Sequence, residues 1–194
     1  MIVSEMINKT GVRQEGFRLI VADLARRPFP VVAETGCARQ ADNWQGDGMS
    51  TLLWAFAHTN VNVWSFDIDK VAVETCRRLI LEAGVPDRVS VQERDGVAGL
   101  LDLEHRTRWT HGVSLLYLDS LDVDMQNPRE AAQHTLNEFI AGRGMLREGS
   151  LVAVDDNMRS SSGARVGKGM YVADFMARAG KPLLHDGYQL VWRW

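Results

Sequence analysis

Five apolar, β-rich segments follow one another along this chain of 194 residues, and helical patterns lie between them. The segments are residues 31–35, 61–68, 89–94, 113–118 and 151–154. Strands that alternate with helices are typical of an α/β fold, because two parallel strands need a crossover connection between them. The segment 113–118 is almost continuously apolar, as a central parallel strand covered on both faces should be.

Two further apolar runs flank the turn signal Asp186-Gly187 and bring the predicted number of strands to about seven. The last strand is predicted to be antiparallel. The sequence therefore predicts an α/β fold with a Rossmann-like, doubly wound, mostly parallel sheet. Its length favours one domain over residues 1–194, in which residues 1–29 form an N-terminal helical extension.

Acids, together with a glycine and an asparagine, stand at or just past the carboxyl ends of the predicted strands. Ligands of open α/β sheets bind at that edge, so these residues are the candidates for a functional site. They are Glu34, Gly36, Asp67, Asp95, Asp119, Asp155, Asp156 and Asn157. One such acid would mean little, but acids after five successive strands exceed what solubility requires.

Two of these positions indicate specific chemistry. An acid after the second strand of an α/β unit commonly binds ribose hydroxyls, and Asp67 has that position. Asp119, Asp156 and Asn157 would bring three oxygen ligands together, a set that suits Mg²⁺ or another oxygen-preferring cation. Asp155 competes with Asp156, because adjacent strand residues point to opposite faces and only one should face the metal. A nucleoside-type cofactor beside a metal predicts an enzyme.

The overall composition excludes several classes of protein. The net charge is −3 and the basic residues are scattered, so nothing indicates a nucleic-acid partner. No run reaches the roughly 18–20 apolar residues of a membrane span, and the N-terminus does not resemble a secretory signal. Cys37 and Cys76 are too few for a disulfide framework and predict free thiols in the cytoplasm. A homo-oligomer stays open.

The motifs at the strand ends resemble those of a known family. The segments "VVAETG…GDGMST", "VWSFDID" and "VQERDG" resemble the cofactor motifs of class I S-adenosylmethionine-dependent methyltransferases. "LLYLDSLD" and "GMLREGSLVAVDDN" resemble the metal motifs of cation-dependent O-methyltransferases, namely the catechol, caffeoyl-CoA and macrocin-type sugar enzymes. The resemblance implies that S-adenosylmethionine and Mg²⁺ (or Mn²⁺) serve methyl transfer to a hydroxyl of a small acceptor, either sugar or catechol-like.

The resemblance also implies a role for each matching residue. Asp119, Asp156 and Asn157 would bind the metal, and Asp119 would also lie at the cofactor and the reacting groups. The cofactor site would be formed by Glu34 and Gly36 at the methionine moiety, Gly48 and Ser50 at the start of a helix facing the carboxylate, Asp67 at the ribose and Asp95 near the adenine amino group.

One departure from the family concerns the general base. Catechol-type enzymes place a lysine three residues after the first metal aspartate, and this chain has Asp122 there. Asp122 and His185 are the replacements carried forward with Asp119 as catalytic candidates, since Asp122 could extend the metal shell or act as the base. The alternatives are Asp124, His134 and Lys168.

Two segments between the motifs are predicted to be loops with a role at the site. The loop 36–48 is longer than the usual family turn, and its Trp44 is a candidate substrate contact. The segment 158–169 is rich in Ser and Gly, so it is predicted to be a mobile loop. Its basic residues Arg159, Arg165 and Lys168 would line an entrance for an acidic or phosphorylated acceptor.

Two other functions remain open on the sequence alone. The missing lysine motivates one alternative, a non-catalytic domain that binds S-adenosylmethionine or its product as a sensor or scaffold. The motif Asp122-Val123-Asp124 would suit a metal-dependent glycosyltransferase, although the Glu-x-Gly motif after the first strand suits S-adenosylmethionine better.

Overall fold

The computed structural model describes residues 2–47, 49–107 and 112–194. Its strands are β1 (Val31–Thr35), β2 (Asn62–Asp67), β3 (Val89–Glu93), β4 (Val113–Leu118), β5 (Leu146–Val154), β6 (Asn157–Arg159), β7 (Arg165–Gly167), β8 (Leu183–Asp186) and β9 (Leu190–Arg193). Its α-helices are α1 (Val3–Asn8), α2 (Gln14–Leu24), α3 (Ser50–Ala57), α4 (Lys70–Glu82), α5 (Gly96–Thr107), α6 (Pro128–Gly142) and α7 (Met170–Arg178).

Seven of the strands in the described residues form one sheet in the order β3-β2-β1-β4-β5-β9-β8. The first five pair in parallel, and β9 is antiparallel to both of its neighbours. This is the predicted Rossmann-like sheet with its antiparallel last strand, so the fold prediction is confirmed. Thr35 pairs with Leu118, and Leu118 pairs with Val154, so β1, β4 and β5 end at the same edge.

Both faces of the sheet are covered, as the apolar pattern of β4 requires. All six residues of β4 are buried, and its side chains alternate between two hydrophobic clusters. Tyr117 packs on one face against Phe17 and Trp54, whereas Leu116 packs on the other face with Phe139. A fully buried large apolar side chain contributes about 1.5–3 kcal/mol, so this pair of clusters fixes the register of the central strand.

The predicted N-terminal helical extension is divided into two helices. A first helix, α1, precedes a 3₁₀ turn at Gly11–Arg13, and α2 starts only at Gln14. Gly11 has a φ of +59°, which favours glycine and turns the chain sharply. As a result Arg13 is buried instead of lying on the surface of a helix.

The segment predicted to be a mobile loop is a short hairpin. Strands β6 and β7 pair antiparallel, with Asn157 opposite Gly167 and Arg159 opposite Arg165. Both arginines donate to Asp186 at the end of β8, at 2.7 and 3.0 Å, which ties the hairpin to the sheet. The basic residues Arg159 and Arg165 therefore hold Asp186 and do not line the cavity described below.

No helix among the described residues is both long enough and apolar enough to cross a bilayer.

A glycine substitution tests the close packing of this hairpin. Gly167 has a φ of +117°, and a Cβ there would lie 2.1 Å from the carbonyl oxygen of Asp156. We expect Gly167→Ala to lower the free energy of unfolding by roughly 2–4 kcal/mol in urea titrations. Gly163→Ala is the matched control, because its φ is +80° but its Cβ would meet nothing within 4 Å. It should cost about 1–2 kcal/mol. Equal losses in the two variants would contradict the packing argument.

Candidate functional site

A cavity of about 610 Å³ opens at the carboxyl edge of the sheet, where β1, β2, β4 and β5 end. Its size lies within the range of small-molecule sites in proteins. Among the residues predicted for the site, six line it, namely Gly36, Ser50, Asp67, Asp119, Asp122 and Asp156. The fold therefore brings the larger part of the predicted set to one place.

Gly36 allows the loops after β1 and β4 to approach each other closely. Its φ is +80°, its N–H donates to the carbonyl of Phe66 at 2.8 Å, and a Cβ there would lie 2.4 Å from the carbonyl oxygen of Asp119. Any side chain at this position would push the two strand ends apart. Gly36 thus sets the width of the cavity floor.

Asp67 presents a carboxylate whose direction is fixed by the backbone. One oxygen accepts from the N–H of Cys37 at 3.0 Å and the other from the N–H of Asp69 at 2.8 Å. Each carboxylate oxygen has two lone pairs, so both can still accept from hydroxyl groups of a ligand. This arrangement suits recognition of a vicinal diol such as a ribose.

Glu34 lies beneath the cavity and does not line it. Its fully buried carboxylate accepts four hydrogen bonds, from Ser50, Thr51, Trp54 and Ser65 at 2.5–2.8 Å. Burial raises the pKa of Glu34, while these hydrogen bonds act to lower it. The network ties the first turn of α3 to β1 and so holds Ser50 at the cavity wall, with the positive end of the helix toward it.

Two other predicted residues, Asp95 and His185, do not line the cavity. Asp95 is exposed and accepts from the N–H of Ala98 at 3.0 Å, so it caps the start of α5. His185 lies on the edge strand β8. Gly48 falls outside the described residues.

Asp119, Asp155 and Asp156 form a cluster in which one carboxylate oxygen of each lies within 4.8 Å of the others. Three acids this close could hold a metal ion. The expectation that Asp155 and Asp156 point to opposite faces is not met, because β5 ends at Val154 and Asp156 has a φ of +53°. The strand alternation stops before it reaches them.

Two cations of the chain are already bound to these acids. Lys168, after β7, places its ammonium nitrogen 2.6 Å from Asp119 Oδ1 and 2.7 Å from Asp156 Oδ2, and its side chain is 1% exposed. Arg13 donates from Nε to Asp155 Oδ2 at 2.6 Å and lies 3.2 Å from Asp156 Oδ1 through Nη2. Lys168 was among the alternatives for the general base, whereas Arg13 was not among the predicted site residues.

Tyr188 completes the wall on this side. Its hydroxyl donates to Asp156 Oδ1 at 2.6 Å, and the Arg13 guanidinium lies 4.7 Å from its ring centroid. Nothing in the sequence singled out Arg13 or Tyr188, since one follows a surface-like polar stretch and the other follows an ordinary turn. Only the folded chain brings them together.

The surroundings shift the pKa values of Asp119 and Asp156 in opposite directions. Burial raises the pKa of Asp119 well above its usual range, and although Lys168 opposes this, Asp155 and Asp156 add to it. Burial alone would raise the pKa of Asp156 too, but the charge and hydrogen bond of Lys168, with the hydrogen bond from Tyr188, bring it below the usual range. Burial disfavours the Lys168 ammonium, yet Asp119 and Asp156 outweigh it and raise the lysine pKa. Asp119 is therefore the acid suited to take up a proton.

Asn157, predicted to be a metal ligand, directs its amide into the backbone instead. Its Nδ2 donates to the carbonyls of Val154 and Asp155, both at 2.9 Å, and its Oδ1 accepts from the N–H of Gly169 at 2.9 Å. It joins the end of β5 to the start of α7. The described structure does not bring it together with the three acids.

The rim of the cavity is formed in part by the long loop after β1. Arg39 donates to Asp122 at 2.6 Å, and the side chain of Asp122 is 67% exposed. Asp47 accepts from the N–H groups of Arg39 and Gln40, both at 2.9 Å, and so shapes the loop. Trp44 is buried and packs under Lys9, so it does not provide the substrate contact expected of it.

A second polar layer lies behind Asp119. Ser120 donates to the buried Glu138 at 2.7 Å, and His134 Nε2 lies 3.3 Å from the same carboxylate oxygen. The other oxygen of Glu138 has no hydrogen-bond partner among the described residues. The hydrogen bond that His134 donates to Glu138 raises the pKa of His134, in spite of partial burial.

No known protein family and no curated protein matches the sequence, but solved structures share its fold. The MycE methyltransferase of the mycinamycin biosynthetic pathway, solved with Mg and SAH, matches with a TM-score of 0.66 and 16% identity, over 100% of this chain and 54% of MycE. This chain thus spans about half the length of MycE. The O-methyltransferase from Bacillus cereus, solved with SAH, matches with a TM-score of 0.65 and 13% identity, over 99% and 90% of the two chains.

A methyltransferase from Geobacter sulfurreducens also matches, with a TM-score of 0.60 and 16% identity, over 92% of this chain and 78% of the other. The chain has the fold of S-adenosylmethionine-dependent O-methyltransferases. The fold that the sequence motifs imply is confirmed by the sheet order.

The pair of His134 and Glu138 gives a pH-dependent stability. Because the folded-state pKa of His134 is raised, its stabilising effect is fully present below the ordinary imidazole pKa and is lost as the pH rises through the raised value. We expect His134→Gln to be destabilised most in mildly acidic solution and to approach the wild type in alkaline solution. Urea unfolding across this pH range measures the difference. In Glu138→Gln, a further change of His134 should have little pH-dependent effect; a persistent one would remove Glu138 as its partner.

Proposed function

We propose that the chain is an S-adenosylmethionine-dependent O-methyltransferase that methylates a hydroxyl of a small acceptor. The observation that carries the proposal is the fixed Asp67 carboxylate in a 610 Å³ cavity, at the sheet edge where the fold's ligands bind. The likeness to methyltransferases solved with SAH, the demethylated form of the donor, supports this choice of cofactor.

The cofactor half of the cavity has the polarity that S-adenosylmethionine requires. Asp67 would accept from both ribose hydroxyls, and the N-terminal end of α3 at Ser50 would face the methionine carboxylate. Gly36 lets the backbone approach the ligand closely. Ile68, an exposed apolar residue of the lining, would cover the base.

The acceptor half would lie between Asp119, Asp156, Tyr188 and the rim residues. Methyl transfer is an in-line displacement that needs the acceptor oxygen about 3 Å from the methyl carbon. Asp119 would accept the hydroxyl proton, because its raised pKa brings its proton affinity closer to that of the hydroxyl it serves. Asp122 lies on the rim and pairs with Arg39, so it would lie farther from the reacting hydroxyl than Asp119.

The predicted Mg²⁺ or Mn²⁺ fits the kind of donor present but not its arrangement. The three clustered acids offer carboxylate oxygens, and the buried Asp155 Oδ1 has no hydrogen-bond partner in the described structure. Lys168, however, bridges Asp119 and Asp156 with its ammonium group. The proposed transfer therefore relies on the residues of the chain alone.

A non-catalytic binding domain would share the cofactor half of this site, and turnover separates it from an enzyme. Incubation with labelled S-adenosylmethionine and a panel of sugars and phenols should give methylated product. The glycosyltransferase alternative gains no support, because Asp122 pairs with Arg39 and Asp124 accepts from the N–H of Gln126 within its own turn.

The role of Asp67 is tested by binding. We expect S-adenosylmethionine to bind with micromolar affinity, and Asp67→Ala to weaken it by about tenfold or more, because a charge-assisted hydrogen bond contributes about 1.5–3 kcal/mol. Asp95→Ala is the control: it removes the α5 cap, at about 1 kcal/mol of stability, and should leave the affinity unchanged. Isothermal calorimetry measures both. An Asp67→Ala protein that binds like the wild type would remove Asp67 from the site.

A further inference from the structure

We propose that Lys168 takes the place of the divalent cation in this site, so that methyl transfer here is independent of metal. The inference deepens the proposed function and rests on it for its meaning in catalysis. It concerns a residue of this chain that occupies the position between the acids at the ends of β4 and β5. Lys168 acts as a positioning residue, because it does not line the cavity itself.

Most of the carboxylate oxygens in the cluster are already engaged. Lys168 holds Asp119 Oδ1 and Asp156 Oδ2, Arg13 holds Asp155 Oδ2, and Tyr188 donates to Asp156 Oδ1. Four of the six oxygens of the three acids thus have a cationic or hydroxyl partner. A divalent cation that bridges Asp119 and Asp156 would need the oxygens that the ammonium group holds, so it could take that position only if the ammonium group left.

The backbone commits the lysine to this position. The N–H of Lys168 lies 3.3 Å from the carbonyl oxygen of Asp156, and the next N–H, of Gly169, donates to Asn157 Oδ1. Gly167, with its φ of +117°, packs directly on Asp156. Since α7 begins at Met170, Lys168 is held by the hairpin on one side and by a helix on the other. Its side chain is only 1% exposed at this junction.

Electrostatic repulsion disfavours a second cation beside the ammonium group of Lys168. The three carboxylates face the guanidinium of Arg13 and the ammonium of Lys168, so the charges of the cluster nearly balance. A divalent ion among the same oxygens would lie within a few ångströms of the ammonium group and would be repelled at that short range. Lys168 therefore neutralises carboxylate charge that a metal ion would otherwise neutralise.

This replacement changes which acceptors the site can take. A metal ion orients its substrate by chelating two neighbouring oxygens, which restricts the acceptor to vicinal diols and similar groups. The ammonium group of Lys168 is occupied by two carboxylates and is not exposed to the cavity. The acceptor is then held through one hydroxyl, at Asp119, and a lone hydroxyl group suffices.

Binding of Mn²⁺ alone, without cofactor or acceptor, tests the replacement. We expect the wild type to show no measurable binding by calorimetry or by the electron paramagnetic resonance of free Mn²⁺. Lys168→Met should bind Mn²⁺ at least about tenfold more tightly, because it frees Asp119 and Asp156 beside the unpaired Asp155 oxygen. Lys168→Arg keeps the charge and should behave like the wild type. Adding Asp156→Asn to Lys168→Met should abolish the gain.

Binding of Mn²⁺ by the wild type as tight as by Lys168→Met would overturn the proposal. If Lys168→Met does not fold, the thermal midpoint of the wild type decides: it should be the same in Mn²⁺ and in a chelator, and a rise with Mn²⁺ would show that the ion displaces the lysine. Calorimetry with S-adenosylmethionine tests the proposed function separately. Failure there would leave the Mn²⁺ result intact, and failure of the Mn²⁺ test would leave the cofactor assignment intact.

Discussion

The ion pairs among Arg13, Lys168 and the acids Asp119, Asp155 and Asp156 join the turn before α2, the hairpin and the ends of β4 and β5 at one point. Arg13 comes from the turn between the first two helices, and Lys168 from the end of the hairpin. Because all five side chains are largely buried, each charge depends on its partners. Removing one partner of a buried pair typically costs about 3–5 kcal/mol, since the other charge stays behind without compensation. The shape of the proposed acceptor half of the cavity therefore depends on this cluster.

In the proposed cofactor half of the cavity, the charged groups are stabilised in a different way. There the charged groups, Glu34 and Asp67, are satisfied by neutral donors: hydroxyls, an indole N–H and backbone N–H groups. Such donors fix a carboxylate without cancelling its charge, so Asp67 remains an acceptor for a ligand. Gly36 then sets the distance between this side and Asp119. One side of the cavity is thus a rigid receptor, and the other is a balanced set of charges.

The sequence was sufficient for the sheet and for the residues that follow its strands directly, because strand period and turn residues are local properties. Gly36, Asp67 and Asp119 reached the cavity for that reason. Asp95 and Asn157 show the limit: each stands at the predicted strand end, but its side chain is taken by nearby N–H or carbonyl groups. The local sequence pattern does not show which hydrogen-bond partner each side chain takes. Arg13, Lys168 and Tyr188 could not be assigned either, since their contacts join residues that are distant in sequence.

The pair of Arg13 and Asp155 spans 142 residues of sequence, which affects the order in which parts of the protein can fold during synthesis. A ribosome releases the arginine long before the aspartate exists, so in the nascent chain the guanidinium must remain hydrated. The first helices can pack on the growing sheet through their apolar faces, but the charged turn can be buried only after β5 has been synthesised. Contacts of such long range close late and slow the final step of folding. During synthesis the part of the cavity around Asp67 can therefore take shape before the part around Asp156 exists.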